Sequence, residues 1–226
     1  MYPRTKTKYF QEYTIPEKNR IRSKETNLNH LPIPSKKSST RETAVHQQSV
    51  YTIGHSTRAI AAFINILNAY EIKEVVDIRR IPRSRHNPQF NREVLLESLK
   101  AAKIRYVHMP KLGGLRRALP DSVNKAWRNA SFRGYADYMQ SDEFELSLEK
   151  LIGLSKRRKI VLMCAESVPW RCHRSLIADA LLIRKIQTTD IFSATISKKH
   201  ILTHWAKVRG KQITYPEEGS KSKATR

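Results

Sequence analysis

Val161-Leu162-Met163-Cys164-Ala165-Glu166-Ser167-Val168-Pro169-Trp170-Arg171-Cys172-His173-Arg174 is the stretch on which the fold turns. An apolar run stops abruptly in a polar cluster, and an apolar pattern with helical spacing begins after it. A buried strand, a loop and a helix N-terminus look like this in sequence. The strand, read as Lys159–Cys164, is hydrophobic throughout and so belongs at the centre of a sheet. The helix behind it is read as Arg174–Lys185. In open α/β sheets ligands bind outside the C-terminal ends of the strands, and both cysteines of the chain lie at this one.

Working outward, strand-like and helix-like patterns alternate. Val50–Gly54, Glu74–Ile78 and Arg105–Met109 read as strands, and Asp190–Ser193 as a weak last one. Between them, Ala59–Ala69 carries Ile60, Phe63, Ile64 and Leu67 at helical spacing, and Arg92–Ala102 carries Val94, Leu95, Leu96 and Leu99. Tyr135–Ser155 reads as one long helical segment with Tyr138, Met139, Phe144, Leu148, Leu151 and Ile152. The alternation predicts an α/β fold, a Rossmann-like three-layer sandwich with a mostly parallel sheet of about five strands. That is too few for an eight-unit barrel. The domain is expected over 49–215. Residues 1–48 are polar, basic and proline-punctuated and read as a flexible arm, and 216–226 as a disordered tail.

The 226 residues carry a formal charge of +23, from 43 basic and 20 acidic side chains. Residues 1–49 hold ten Lys/Arg and four Asp/Glu, so most of the excess belongs to the expected domain. A basic folded domain points to a phosphate-bearing ligand, with DNA or RNA first among the candidates. No apolar run approaches a membrane span of about 20 residues, and the N-terminus has no signal-peptide core. A cytoplasmic protein without membrane contact is expected. Two cysteines make no disulfide framework, and the sequence specifies neither a cofactor nor an oligomeric state.

Polar clusters recur at the strand ends. Gly54-His55-Ser56 closes the first strand, where glycine permits a tight exit and close backbone approach. Asp77-Ile78-Arg79-Arg80-Ile81-Pro82-Arg83-Ser84-Arg85 closes the second and holds four arginines. Their planar forks suit phosphate or carboxylate, and Asp77 is placed to pair with one of them and orient it. Leu112-Gly113-Gly114-Leu115-Arg116-Arg117 follows the third strand, where two glycines can expose backbone N–H groups as an anion nest. Phe132-Arg133-Gly134-Tyr135 adds another arginine between aromatics, which suit core packing better than base stacking.

The opening segment admits three readings. Cys164 as a nucleophile has approximately the spacing to Arg171 of a cysteine-phosphatase loop, with one residue too many and no preceding histidine. Cys164, Cys172 and His173 as zinc ligands, with His55 as a fourth, have looser cysteine spacing than usual zinc patterns. A polar anion site fits best, with Glu166 as base or acceptor and Arg174 at the helix N-terminus. The candidate catalytic residues are therefore Glu166, His55, His173 and Cys164. The candidate anion-binding residues are Arg79, Ser84, Arg116, Arg133 and Arg174, and no metal is assigned.

In order, Tyr51-Thr52-Ile53-Gly54-His55-Ser56, Asp77-Ile78-Arg79 with Pro82 and Ser84, Leu112-Gly113-Gly114, Phe132-Arg133-Gly134-Tyr135, and Cys164-Ala165-Glu166 with Cys172-His173-Arg174 resemble the bacterial domain of unknown function 488 family. The resemblance spans roughly residues 50–215 and implies a small α/β domain, but no reaction. Two functions remain. One is an enzyme acting on a nucleotide or nucleic acid, and the other is a non-catalytic nucleic-acid-binding module. An enzyme requires the strand-end residues to converge on one concave pocket, whereas a binding module spreads its arginines along an open face.

Overall fold

The computed structural model describes residues 48–217. The expected basic arm and tail therefore lie, apart from their border residues, outside the described residues. Five strands run parallel: β1 (Ser49–Gly54), β2 (Glu74–Asp77), β3 (Arg105–His108), β4 (Ile160–Cys164) and β5 (Gln187–Ile191). A sixth, β6 (Ser197–Lys199), adds antiparallel to β5, and the sheet order is β3-β2-β4-β1-β5-β6. A separate hairpin pairs β7 (Lys207–Arg209) with β8 (Gln212–Thr214).

Five α-helices cover the sheet: α1 (Ile60–Ala69), α2 (Arg92–Ala101), α3 (Ala130–Tyr138), α4 (Asp142–Ser155) and α5 (Arg174–Leu182). Strand β4 explains the layering. Ile160, Leu162 and Cys164 join one core with Phe132 and Tyr135 of α3, Phe144 and Leu148 of α4, and Leu176 and Ile177 of α5. Val161 and Met163 join the opposite core with Phe63 and Leu67 of α1 and Leu95 and Leu99 of α2. A strand buried on both faces needs apolar residues at every position. Hence the continuous Ile-Val-Leu-Met-Cys run.

The layering also places the site. The helices after β1 and β2 lie on one face, and the helix after β4, which sits between them, lies on the other. Chains leaving neighbouring strand ends in opposite directions open a crevice, the switch point at which α/β sheets bind ligands.

Helices α1, α2 and α5 end alike, each with a left-handed residue that is not glycine: Glu71 (φ 54), Lys103 (φ 59) and Lys185 (φ 62). The following isoleucine N–H reaches back five residues, Ile72 to Leu67, Ile104 to Leu99 and Ile186 to Leu181, all at 2.9–3.1 Å. This is the Schellman closure. It satisfies end carbonyls and buries Ile72, Ile104 and Ile186 directly before the next strand.

The sequence expectation differs from the structure in several places, and β6 and the β7–β8 hairpin are not anticipated in it at all. Residues Tyr135–Ser155 are not one helix: Ser141 accepts a bond from the Phe144 N–H and caps α4, whose first turn carries Asp142, Glu143 and Glu145. Side-chain capping and acidic residues at the positive helix end favour a new start there. The last parallel strand is also longer than Asp190–Ser193 implies, beginning at Gln187.

Candidate functional site

A cleft of about 580 Å³ opens at the C-terminal ends of β1, β2 and β4. His55, Ser56 and Thr57 come from the end of β1. Arg79, Arg80, Arg83, Ser84 and Asn87 come from the loop after β2. Cys164 is the last residue of β4, Glu166, Ser167 and His173 come from the segment after it, and Gly114 and Leu115 from the loop after β3.

Backbone pairing continues past the strands. The N–H groups of His55 and Ser56 donate to the carbonyls of Cys164 (2.8 Å) and Ala165 (3.0 Å). Gly54 makes this approach possible, since a Cβ there would lie 1.8 Å from the Glu166 carbonyl oxygen. Two non-glycine residues on the cleft wall, Ser56 (φ 50) and Leu115 (φ 61), hold left-handed backbone. Each such residue costs about 1–2 kcal/mol, and such strain clusters at functional sites.

The cleft floor is a buried ion pair. Asp77 is fully buried and Arg79 is 6% exposed. Arg79 Nε donates to Asp77 Oδ1 (2.9 Å) and a terminal nitrogen to Oδ2 (2.6 Å), while Tyr106 Oη donates to Oδ2 (2.8 Å). Arg79 also donates to the Phe90 carbonyl (2.8 Å), and its other terminal nitrogen meets His55 Nε2 at 3.2 Å. His55 Nδ1 faces the Ser56 carbonyl at 2.8 Å, and the ring stacks on Phe90 with centroids 4.1 Å apart. These contacts put the proton on Nδ1 and leave Nε2 accepting from Arg79. Burial, helped by the Arg79 charge against the opposing Ser56 bond, lowers the His55 pKa to about 4. His55 is therefore a neutral imidazole with both nitrogens engaged. It orients Arg79, whose own charge Asp77 balances.

Arg174 lies behind the wall rather than in it. It is 1% exposed, and its terminal nitrogens donate to the carbonyls of Glu166 (2.6 Å) and Ser167 (2.9 Å). The guanidinium thus shapes the Ala165–Ser167 loop and turns its acceptors inward, while the Glu166 residue itself is exposed on the cleft. Pro169–Arg171 forms a single 3-10 turn, which returns the chain to Cys172 and the start of α5.

The two thiols lie together. Cys164 is 7% and Cys172 2% exposed. The hydrogen bond to Cys172, together with burial, pushes the Cys164 thiol well above its usual range. Burial also acts to raise Cys172, but bonds from Cys164 and His173 and the Arg174 charge outweigh it and hold that thiol low. Cys172 Sγ meets His173 Nδ1 at 3.8 Å.

The predicted site residues thus divide. The structure brings His55, Arg79, Ser84, Cys164, Glu166 and His173 to one cleft. Arg174 serves it from behind as a loop brace. Arg116 and Arg133 stand elsewhere. Arg116 lies 3.5 Å over the Tyr138 ring and donates to the Lys111 and Gly113 carbonyls. Arg133 faces the Trp127 carbonyl (3.4 Å) and lines a separate hollow with Ala118, Leu119, Pro120 and Ser122. The glycine pair is not an open nest either, because the Gly113 N–H donates to the Pro110 carbonyl (2.9 Å). Sequence reasoning chose Arg79 from the arginine run, whereas the exposed side chains on the cleft are Arg80 and Arg83. The signal was available in part, since the Asp77 neighbour marked Arg79 as the paired member.

No curated protein and no solved structure matches this chain. Among the described residues, no helix is long and apolar enough to cross a membrane. The model of the Domain of unknown function DUF488 matches residues 59–181, more than half of the chain and most of the elements that build the cleft, and the protein belongs to that family.

Proposed function

We propose that the protein is an enzyme acting on a phosphate-bearing substrate, a nucleotide or a nucleic acid, in the cleft at the ends of β1, β2 and β4. The observation that carries this reading is convergence: three strand ends deliver His55, the Arg79–Ser84 loop, Glu166 and His173 to one concave surface. Mixed acid, base and guanidinium groups in a cleft are what proton-transfer chemistry on an anion requires. Pure charge attraction needs no carboxylate there.

The roles follow from the geometry. Arg80 spends one donor on the Leu115 carbonyl (3.2 Å) and is otherwise exposed, as is Arg83. These two hold the phosphate. Ser84 Oγ accepts from the Asn87 N–H (3.1 Å), so its own O–H remains to donate to a phosphate oxygen. Glu166, exposed on the cleft, moves the proton, and His173 stands on the same wall. Arg79 and His55 form the fixed floor, and Arg174 holds the Glu166 loop.

The test is phosphorus NMR of wild type and Glu166→Gln with 5′-nucleotides, dinucleotides and single-stranded oligonucleotides. At least one substrate is expected to turn over in wild type. Glu166→Gln should slow it by roughly 100-fold or more while still binding, and Arg83→Ala should weaken binding. Salt-sensitive binding with no turnover in either protein contradicts the reading and leaves a non-catalytic nucleic-acid-binding module.

A further inference from the structure

His173 poses a problem that the hydrogen bonds do not solve. Its Nε2 is buried without a partner, and its Nδ1 meets only the Cys172 sulfur, at 3.8 Å. A half-buried ring whose Nε2 is shut from water without a partner, and whose Nδ1 has only a long contact to sulfur, requires an explanation. Gly114 packs on this ring: a Cβ at that position would stand 2.9 Å from His173 Nδ1, so glycine lets the chain lie close over the ring face and leaves the in-plane lone pair to other partners. The ligand-type side chains grouped with it are soft donors. Cys164 Sγ, Cys172 Sγ and a His173 ring nitrogen lie within 4.8 Å of one another.

We propose that Cys164, Cys172 and His173 bind one thiophilic divalent cation of the zinc class, with the fourth coordination position open toward the cleft. Tetrahedral zinc, with bonds of about 2.3 Å to sulfur and 2.0–2.1 Å to nitrogen, sets its ligand atoms about 3.5–3.8 Å apart. The observed cluster reaches that spacing by closing its ligand atoms by up to about 1.3 Å through side-chain torsions. Two thiolates also match the ion's charge, and a softer ion is preferred over magnesium or calcium by such donors. His55 does not complete the set, because both its nitrogens are engaged with Ser56 and Arg79. Three protein ligands and one exchangeable position is the arrangement of catalytic rather than structural zinc. Cys164 and His173 both line the cleft, on the wall that also carries Glu166, so an ion here faces the substrate.

The inference deepens the proposed function by adding a Lewis acid to the same cleft and rests on that reading for its purpose. The experiment uses no phosphate ligand, so either proposal can fail alone. The full-length, reduced protein is titrated with cobalt(II) and its visible and near-ultraviolet spectrum followed, with zinc as competitor. One equivalent of cobalt per chain should produce thiolate charge-transfer and tetrahedral ligand-field bands that zinc abolishes. Cys172→Ser should lower cobalt affinity by at least 100-fold. His173→Cys, which keeps three donors, should retain the ion and intensify the charge-transfer band, so loss in the first variant is not merely misfolding. Absence of these bands from reduced, folded wild type, or unchanged bands in Cys172→Ser, overturns the proposal.

Discussion

At the scale of residues, the cleft depends on charges that are buried before any ligand arrives. The Asp77–Arg79 pair has almost no contact with water. Such a pair adds little net stability over an apolar replacement, yet removing one partner strands a buried charge. Asp77→Asn should therefore cost about 3–5 kcal/mol in urea unfolding. Asp77→Asn combined with Arg79→Met should recover part of that loss, a non-additivity expected of residues in direct contact. Equal losses in the single and double variants would mean that Arg79 is held by Phe90 and His55 rather than by Asp77. Which arginine faces solvent was not legible in the sequence. Arg79 and Arg80 are adjacent, and only the buried acceptors around Arg79, the Asp77 carboxylate and the Phe90 carbonyl, separate their roles. Arg174 misleads for a similar reason. A helix-start arginine suggests an anion site, whereas here the guanidinium satisfies loop carbonyls.

At the scale of elements, the segment after β5 is tied to the domain through His200. Its Nε2 meets Asp179 of α5 at 2.8 Å and its Nδ1 faces Asp190 of β5 at 3.5 Å, while Tyr215 donates to the other Asp179 oxygen at 2.9 Å. Burial alone would lower the His200 pKa, but its bonds to Asp179 and Asp190 outweigh burial and raise it to about 9. With an unfolded value near 6.5, the stabilisation is fully present below about pH 6.5 and fades as pH rises toward 9. Wild type should exceed His200→Gln in stability by on the order of 2–3 kcal/mol near pH 6, with the gap closing by about pH 9.5. A gap that widens with pH would contradict the assignment.

The helix ends offer a second prediction at this scale. Lys103 and Lys185 are exposed residues in left-handed backbone. Glycine there relieves about 1–2 kcal/mol of strain against about 0.5–1 kcal/mol of added chain entropy. Lys103→Gly and Lys185→Gly should each raise the thermal midpoint by a few degrees, and a lowered midpoint would show that the lysine side chains matter more than the backbone. The same ends were hidden from sequence reading because they lack the expected glycine. Strands β6 and β7 were hidden because every residue in them is exposed, which leaves no alternation to detect. The break between α3 and α4 was masked by apolar residues recurring on both sides of Ser141. The central strand was legible because two cores fill it completely.

At the scale of the whole molecule, one layout accounts for the location of the candidate site. Strand β4 sends its helix to one face while β1 and β2 send theirs to the other, and the polar motifs at all three ends meet in the crevice. The motifs were legible as strand-end clusters because each follows directly on an apolar run. A common strand-end pocket is expected from the sequence for His55, Arg79 to Ser84 and Glu166, with Arg133 wrongly included. The order that brings the three ends together, β4 inserted between β1 and β2, is encoded by no local pattern. A second hollow of about 470 Å³, lined by Trp127, Trp170, His200 and Trp205, offers an aromatic alternative. Amide NMR of the protein titrated with a 5′-mononucleotide separates the two most directly. Saturable shifts are expected at Ser56, Thr57, Arg83, Ser84, Gly114 and Ser167; shifts centred on Trp127, Trp170 and Trp205, or scattered along the basic surface without saturation, would contradict the strand-end cleft as the binding site.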